Sequence, residues 1–251
     1  MNIRGITAVV TGGASGIGQA FARRLLVRGA SVWILDRDQS AIESAMEALS
    51  AHGPVRAVTC DVGDEAAVAR AVAEVEADSP GVDVLVNNAA VLRDQALVSR
   101  LGRTVRRHST PDWDETIRSN LTGVFLMTRE VGEAMIRRRR GGVVVNVSSI
   151  SRLGNPGQTA YAASKAGVAA MTVTWSQELA PYGIRVVGIA PGFVQTPMTH
   201  AIAPIFLEQL RERTPSKRFG TLEEFEETIE FVIVNDYLNG KILEVDGGLR
   251  F

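Results

Sequence analysis

Short β-branched runs recur along this chain with one helix-length segment between most successive pairs, and this alternation limits the fold more than any other feature. Residues 6–10, 31–35, 55–59, 82–86, 143–147, 184–189 and 242–245 read as strands, most of them apolar on both faces as a buried parallel strand requires. Residues 16–28, 38–51 and 64–77 read as helices, the first with Ile17, Phe21, Leu25 and Leu26 on one side. Longer helices are expected over 112–138 and 159–180, and an acidic one from Leu222. Strands separated by helices pair in parallel through right-handed crossovers. The expectation is therefore an α/β chain folding as one domain over 1–251: a doubly wound parallel sheet of about seven strands with helices on both faces.

Composition narrows the function classes. At 45% hydrophobic and 22% charged residues with a net charge of −1, the chain has no global electrostatic case for nucleic acid or an anionic membrane. Cys60 is the single cysteine, which excludes an internal disulfide and a cysteine-cluster metal site, and the residues require no metal. No apolar run approaches a membrane span and the start lacks a signal-peptide core, so a cytoplasmic protein is expected.

Ligands of doubly wound sheets bind at the carboxyl ends of the strands. There the first strand runs into Thr11-Gly-Gly-Ala-Ser-Gly-Ile-Gly18, where Gly12, Ser15, Gly16, Ile17 and Gly18 form a glycine-rich turn opening a helix. Glycines permit close backbone approach, and the helix start offers free N–H groups to a pyrophosphate, so a Rossmann-type dinucleotide site is expected. Asp36, at the end of strand two, is placed to accept hydrogen bonds from an adenosine ribose and would repel a 2′-phosphate, which favours NAD(H). Arg37 is the counter-signal that keeps NADP(H) open. Asp61 and Val62 after strand three, and Asn88 and Ala89 after strand four, are expected to border the same ligand.

The chemistry is concentrated where the 143–147 strand meets the next helix. Tyr161 and Lys165 stand four residues apart and share a helix face, so an ammonium near the phenol would bring its pKa closer to neutrality. Ser148, at the strand mouth, is placed to hydrogen-bond the same substrate oxygen. Asn120 and Gly123 both cost helix propensity mid-helix, which points to a function for the interruption. After the 184–189 strand, Pro191 and Gly192 mark a sharp turn, with Val194 and Thr196 expected at the nicotinamide and phosphates. A lid with an apolar underside is expected over about 193–220, with Met198, Ile202, Ile205, Phe206 and Leu207. Residues 92–110 form a basic loop, five arginines against Asp94, suited to an anionic carrier if it is not merely solvated.

Thr11-Gly-x3-Gly-x-Gly18, Asp61, Asn87-Asn-Ala89, Asn120, Ser148, Tyr161-x3-Lys165 and Pro191-Gly192 together resemble the short-chain dehydrogenase/reductase family over nearly the whole chain. Ser148 lies thirteen residues before Tyr161, the interval usual in that family. Ala90 stands where glycine is usual, and Gly188-Ile189 replaces the Asn-Ala often found before Ala-Pro-Gly. The resemblance implies Tyr161 as catalytic acid/base, Ser148 orienting the carbonyl or alcohol, Lys165 binding the nicotinamide ribose and lowering the Tyr161 pKa, and Asn120 holding a relay water. The 92–97 segment, the 154–158 loop and the C-terminal segment look like the 3-oxoacyl-(ACP or CoA) reductases and the short-chain 3-hydroxyacyl-CoA dehydrogenases. The expected substrate is a secondary alcohol/ketone pair, foremost a 3-hydroxyacyl/3-oxoacyl thioester carried on CoA or ACP. Simple ketones, or a non-catalytic nucleotide-binding regulator, are the alternatives. The resemblance further implies a homotetramer built through the helices at 112–138 and 159–180.

Overall fold

The computed structural model describes residues 1–194 and 204–250. The first half runs β1 (Thr7–Thr11), α1 (Gly16–Val27), β2 (Ser31–Asp36), α2 (Gln39–Ser50), β3 (Val55–Thr59), α3 (Glu65–Ala77) and β4 (Val84–Asn87). A hairpin of β5 (Val98–Leu101) and β6 (Thr104–Arg107) precedes α4 (Thr110–Ile117), a π-helical turn (Arg118–Thr122) and α5 (Gly123–Arg138). Then come β7 (Gly142–Val147), a 3-10 turn (Ile150–Leu153), α6 (Thr159–Glu178) and β8 (Ile184–Pro191). The chain closes with α7 (Pro204–Arg213), α8 (Leu222–Val234) and β9 (Ile242–Val245). The main sheet has seven parallel strands in the order β3-β2-β1-β4-β7-β8-β9, so the order reverses between β1 and β4. The site is expected above that switch point. Among the described residues, no helix is long and apolar enough to cross a membrane.

Strand alternation divides the core in two. Val10, Ile34, Val86, Val145 and Val187 face α1, α2 and α8, packing with Phe21, Leu25, Leu49, Phe225 and Ile229. Val9, Trp33, Leu35, Leu85 and Val144 face the other way, onto Val68, Val72, Met127, Val131 and Met135 of α3 and α5. These strands are apolar throughout because both faces are covered. α8 is also pinned to α1 through Arg23–Glu226 and Arg24–Glu230, each at 2.6 Å.

Two differences from the sequence expectation matter. The 92–110 segment is not a plain loop: its centre pairs as the β5–β6 hairpin, turning at Gly102 with φ +61°. All eight strand residues are exposed, so burial imposes no apolar/polar alternation that a sequence pattern could reveal. The expected helix at 112–138 is broken by the π turn, with the Gly123 amide bonding the Arg118 carbonyl five residues back. Gly123 itself is required by packing, since a Cβ there would meet Val62 Cγ2 at 2.7 Å.

A buried polar chain crosses the sheet at its centre. Asn87 Nδ2 donates to Thr128 Oγ1 on α5 and to Asn146 Oδ1 on β7, both at 2.9 Å, and Asn146 Nδ2 donates to Thr172 Oγ1 on α6 at 3.0 Å. Asn146 is completely buried, so removing its amide strands the partner groups in a low-dielectric interior. Asn146→Ala is expected to lower unfolding free energy by about 2–4 kcal/mol, read from urea denaturation with an unchanged m-value. A loss below about 0.5 kcal/mol would show that the relay contributes nothing net.

Candidate active site

At the switch point the β1–α1 turn is pressed against the end of β4. Gly12 and Gly16 adopt φ of +60° and +52°, and a Cβ on Gly12 would meet Ala89 Cα at 2.8 Å. A Cβ on Gly18 would overlap the Gly12 carbonyl and the Asn88 side chain. Asn88 Nδ2 donates to the Thr11 and Gly12 carbonyls at 3.2 and 3.1 Å, while the Asn88 and Ala89 amides donate to Thr11 Oγ1. Ser15 makes no side-chain cap on α1, so the first amides of that helix remain available above the turn. Uncapped N–H groups and absent side chains are what a diphosphate needs.

These elements form one wall of a cleft of about 850 Å³ that runs past Asp36, Asp61, Val62, Asn88 and Ala89 to Ser149, Tyr161, Lys165, Pro191, Gly192 and Val194. The structure thus brings together nearly all the residues expected from sequence. Thr196, Met198 and Ile202 lie outside the described residues. Of the expected lid, Phe206 and Leu210 of α7 line the cleft, and Phe193 packs on Phe219 with ring centroids 6.0 Å apart.

At the adenosine end, Asp36 accepts from the Asp38 amide at 3.2 Å and weakly from that of Ala14 at 3.4 Å. Arg37 is drawn away to Glu115 of α4 at 3.0 Å. Glu115 also binds Arg118 at 2.7 Å, and Arg118 reaches Asp61 at 2.9 Å. Burial works against the Glu115 charge, but hydrogen bonds from Arg118 and Arg37 hold its carboxyl below the usual range. Sequence reasoning missed this network because the pairs span 57 and 78 positions. Cys60, also on the cleft, has its thiol pushed up to about 11 by burial and then by Asp61, so it stays protonated.

At the other end two sequence expectations are corrected. Ser148 does not face the phenol: its hydroxyl donates to the Lys165 carbonyl at 2.8 Å, and Lys165 Nζ donates back to the Val147 carbonyl at 2.7 Å. The hydroxyl acting on the Tyr161 phenol is that of Ser149. Ser148, two residues after Asn146, is tied to the α6 backbone as Asn146 is tied to Thr172, which leaves the Ser149 hydroxyl for the phenol. Nor does Lys165 bring the Tyr161 pKa down toward neutrality here, because burial of the phenol prevails. Its ammonium lies over the ring, 5.7 Å from the centroid, and is pushed down to about 8 by burial. Tyr161 is pushed up to about 12 by burial, with the Ser149 hydrogen bond lowering it and the Asp94 charge raising it.

Asn120 sits buried in the π turn, its amide clamping the Val91 backbone: Nδ2 donates to Val91 O at 2.9 Å and Oδ1 accepts from Val91 N at 2.7 Å. Its side chain therefore fixes the chain leaving β4, and lies 3.4 Å from Ser164 Oγ on α6. Beside Tyr161, Gln158 gathers Ser151, Asn155 and Asp94, donating to Asp94 Oδ2 at 3.0 Å. Burial raises the Asp94 pKa despite that bond. Among the described residues there is no cluster able to hold a metal ion.

The family model for short chain dehydrogenases matches residues 6–204. The chain is 41% identical over 253 aligned residues to 3-oxoacyl-[acyl-carrier-protein] reductase FabG of Thermotoga maritima, covering 99% of each. It is 36% identical to a (3R)-3-hydroxyacyl-CoA dehydrogenase of Canis lupus familiaris, covering 99% of this chain and 98% of that one. A crystal structure from Agrobacterium tumefaciens, assigned as a gluconate dehydrogenase, superposes with a TM-score of 0.91 at 33% identity over 99% of this chain and 97% of that one. With a glycine cradle at the switch point and a Tyr161/Lys165/Ser149 cluster at the far end of one cleft, this chain belongs to the short-chain dehydrogenase family and is an oxidoreductase of that type.

Proposed function

We propose that the enzyme interconverts a 3-oxoacyl and a 3-hydroxyacyl thioester with NAD(H), Tyr161 serving as general acid in reduction and base in oxidation. The observation that carries this is a single cleft joining a pyrophosphate-type cradle to a phenol with a serine and a lysine beside it. The nicotinamide cofactor, when bound, supplies or accepts the hydride. Gly12, Gly16 and Gly18 with the start of α1 would hold its diphosphate, and Asp36 the adenosine ribose. The phenol, protonated at neutral pH, is suited to donate its proton to the alkoxide that develops on reduction. Ser149 orients the phenol and offers a second hydrogen bond to the same oxygen. Lys165, held by Val147, keeps a cation beside the ring and within reach of a ribose hydroxyl. The relatives named for 3-oxoacyl and 3-hydroxyacyl thioesters support that substrate class. A small free ketone or hydroxy acid is the second reading, favoured by the polar wall of Asp94, Asn155 and Gln158. Exposed Trp113, Phe125 and Val173 on α4, α5 and α6 support assembly into a tetramer through those helices.

Turnover of a panel of CoA thioesters and simple ketones with NADH and NADPH tests the assignment. Tyr161→Phe should lower kcat by about 10²–10⁴-fold while NADH still quenches protein fluorescence with a similar midpoint. Ser149→Ala should lower kcat at least about tenfold, whereas Ser148→Ala, which unlaces β7 from α6, should act chiefly on Tm. A loss of kcat confined to Ser148→Ala would return the catalytic hydroxyl to that position.

The pKa directions give a second test. In cofactor-free protein, Tyr161 is pushed up to about 12, so the ultraviolet difference between wild type and Tyr161→Phe should show no tyrosinate from pH 7 to about 10. Tyrosinate at pH 8 would mean that the Lys165 cation outweighs burial.

Support for NAD(H) over NADP(H) comes from Asp36 together with Glu115, which engages both Arg37, the neighbour of Asp36, and Arg118, the partner of Asp61. Glu115→Gln should release both and tighten NADPH relative to NADH by about tenfold in fluorescence titration. An unchanged ratio would remove Glu115 from cofactor choice.

A further inference from the structure

The β5–β6 hairpin is the one strongly charged feature near the cleft that the chemistry above does not use. Arg93, Arg100, Arg103, Arg106 and Arg107 cluster on or beside it, and none forms an ion pair with a described residue. Many arginines elsewhere are held by carboxylates, as in Arg24–Glu230, Arg56–Asp78, Arg129–Glu65 and Arg138–Asp83. The hairpin also exposes apolar side chains, with Val98, Leu101 and Val105 at 58%, 70% and 62%. An apolar, unneutralised cationic ribbon gains nothing for folding, since it covers no core.

Its root is fixed and adjoins the cleft. Ala96, next but one before β5, lines the cleft with Asp94 and Gln95. The Ser109 amide donates to Gln95 Oε1 at 2.9 Å, Gln95 Nε2 to Asp112 at 2.6 Å and the His108 amide to the Leu97 carbonyl at 2.9 Å. From that root, strands of four residues project about 13 Å. Pairing of Val98 with Arg107 and of Arg100 with Val105 puts two guanidiniums on one diagonal of a face and two valines on the other. Guanidinium forks bind phosphates two hydrogen bonds at a time, and the valines offer apolar contact to a flat ring. Two guanidiniums and two valines on one face of a four-residue ribbon match the phosphate and flat ring of a nucleotide, which is the occupant the face fits.

We propose that the β5–β6 hairpin docks the phosphate-bearing nucleotide of a coenzyme A thioester, with Arg100 and Arg107 as its anchors, while the pantetheine arm leads the acyl group past Ala96 to Tyr161. This rests on the thioester reading above. The test compares acetoacetyl-CoA with the N-acetylcysteamine thioester of the same acyl group, which lacks the nucleotide, in wild type and in R100Q/R107Q. The ratio of kcat/KM for the CoA thioester to that for the truncated one should fall about tenfold in the double variant, through KM. The wild-type ratio should itself fall with added salt, because exposed charge pairs are screened. Equal ratios in the two proteins overturn the docking, as does a loss that appears only with an ACP-linked thioester, which would mark the hairpin as a surface for a protein carrier. A wild-type enzyme that turns over ketones but neither thioester overturns the functional reading together with the docking.

Discussion

Everything at the site depends on two buried asparagines that tie the middle of the sheet to the helices on either side. Asn87 and Asn146 sit side by side at the ends of β4 and β7, where the strand register pairs them directly. Their amides run from Thr128 on α5 to Thr172 on α6. An amide in a fully buried strand is costly unless each group finds its partner, so this chain tolerates little sliding of α6 along β7. The small residues on the inner face of α6, among them Ala160, Ser164 and Ser176, let that helix lie close enough for the bonds to form. About two turns of α6 further toward the cleft, the same closeness permits the reciprocal pair in which Ser148 binds the Lys165 carbonyl and Lys165 binds the Val147 carbonyl.

Glycine at the switch point performs the complementary task. Where the asparagines bind elements together, Gly12 and Gly18 let the β1–α1 turn approach Asn88 and Ala89 without side chains between them. Asn88 then spends both donors of its side-chain amide on the Thr11 and Gly12 carbonyls, which clamps the turn onto the end of β4. The cradle is thus a consequence of local backbone freedom combined with one long-range clamp.

How legible this was from sequence follows from the range of the interactions. The seven strands, the cradle and the Tyr161/Lys165 pair are encoded in periods of two and of 3.6 and in a short glycine spacing, all local, and the structure has each of them. Ser149 is hidden in the sequence by its neighbour, because the interval to Tyr161 points to Ser148 while the engagement of the Ser148 hydroxyl with the Lys165 carbonyl is a long-range contact that no spacing reveals. The Arg37–Glu115, Arg118–Asp61 and Asp94–Gln158 contacts join residues 57 to 78 positions apart, for which no periodicity exists. The β5–β6 hairpin escaped for another reason. A ribbon buried on neither face carries no hydrophobic alternation, and its arginines read as a solvated run.

The electrostatics of the Tyr161 end decide which way the site is biased before any ligand arrives. Burial removes stabilisation from both the phenolate and the ammonium, and the two respond in opposite senses: the phenol is pushed up and Lys165 down. The ammonium donates to the Val147 carbonyl and lies over the tyrosine ring, 5.7 Å from its centroid, but burial of the phenol outweighs the pull of that cation toward phenolate. Asp94, held beside the phenol by Gln158, adds negative charge that further favours the neutral phenol. The resting protein therefore keeps a proton at Tyr161 and a second on Lys165, whose hold on it is weakened by the same burial.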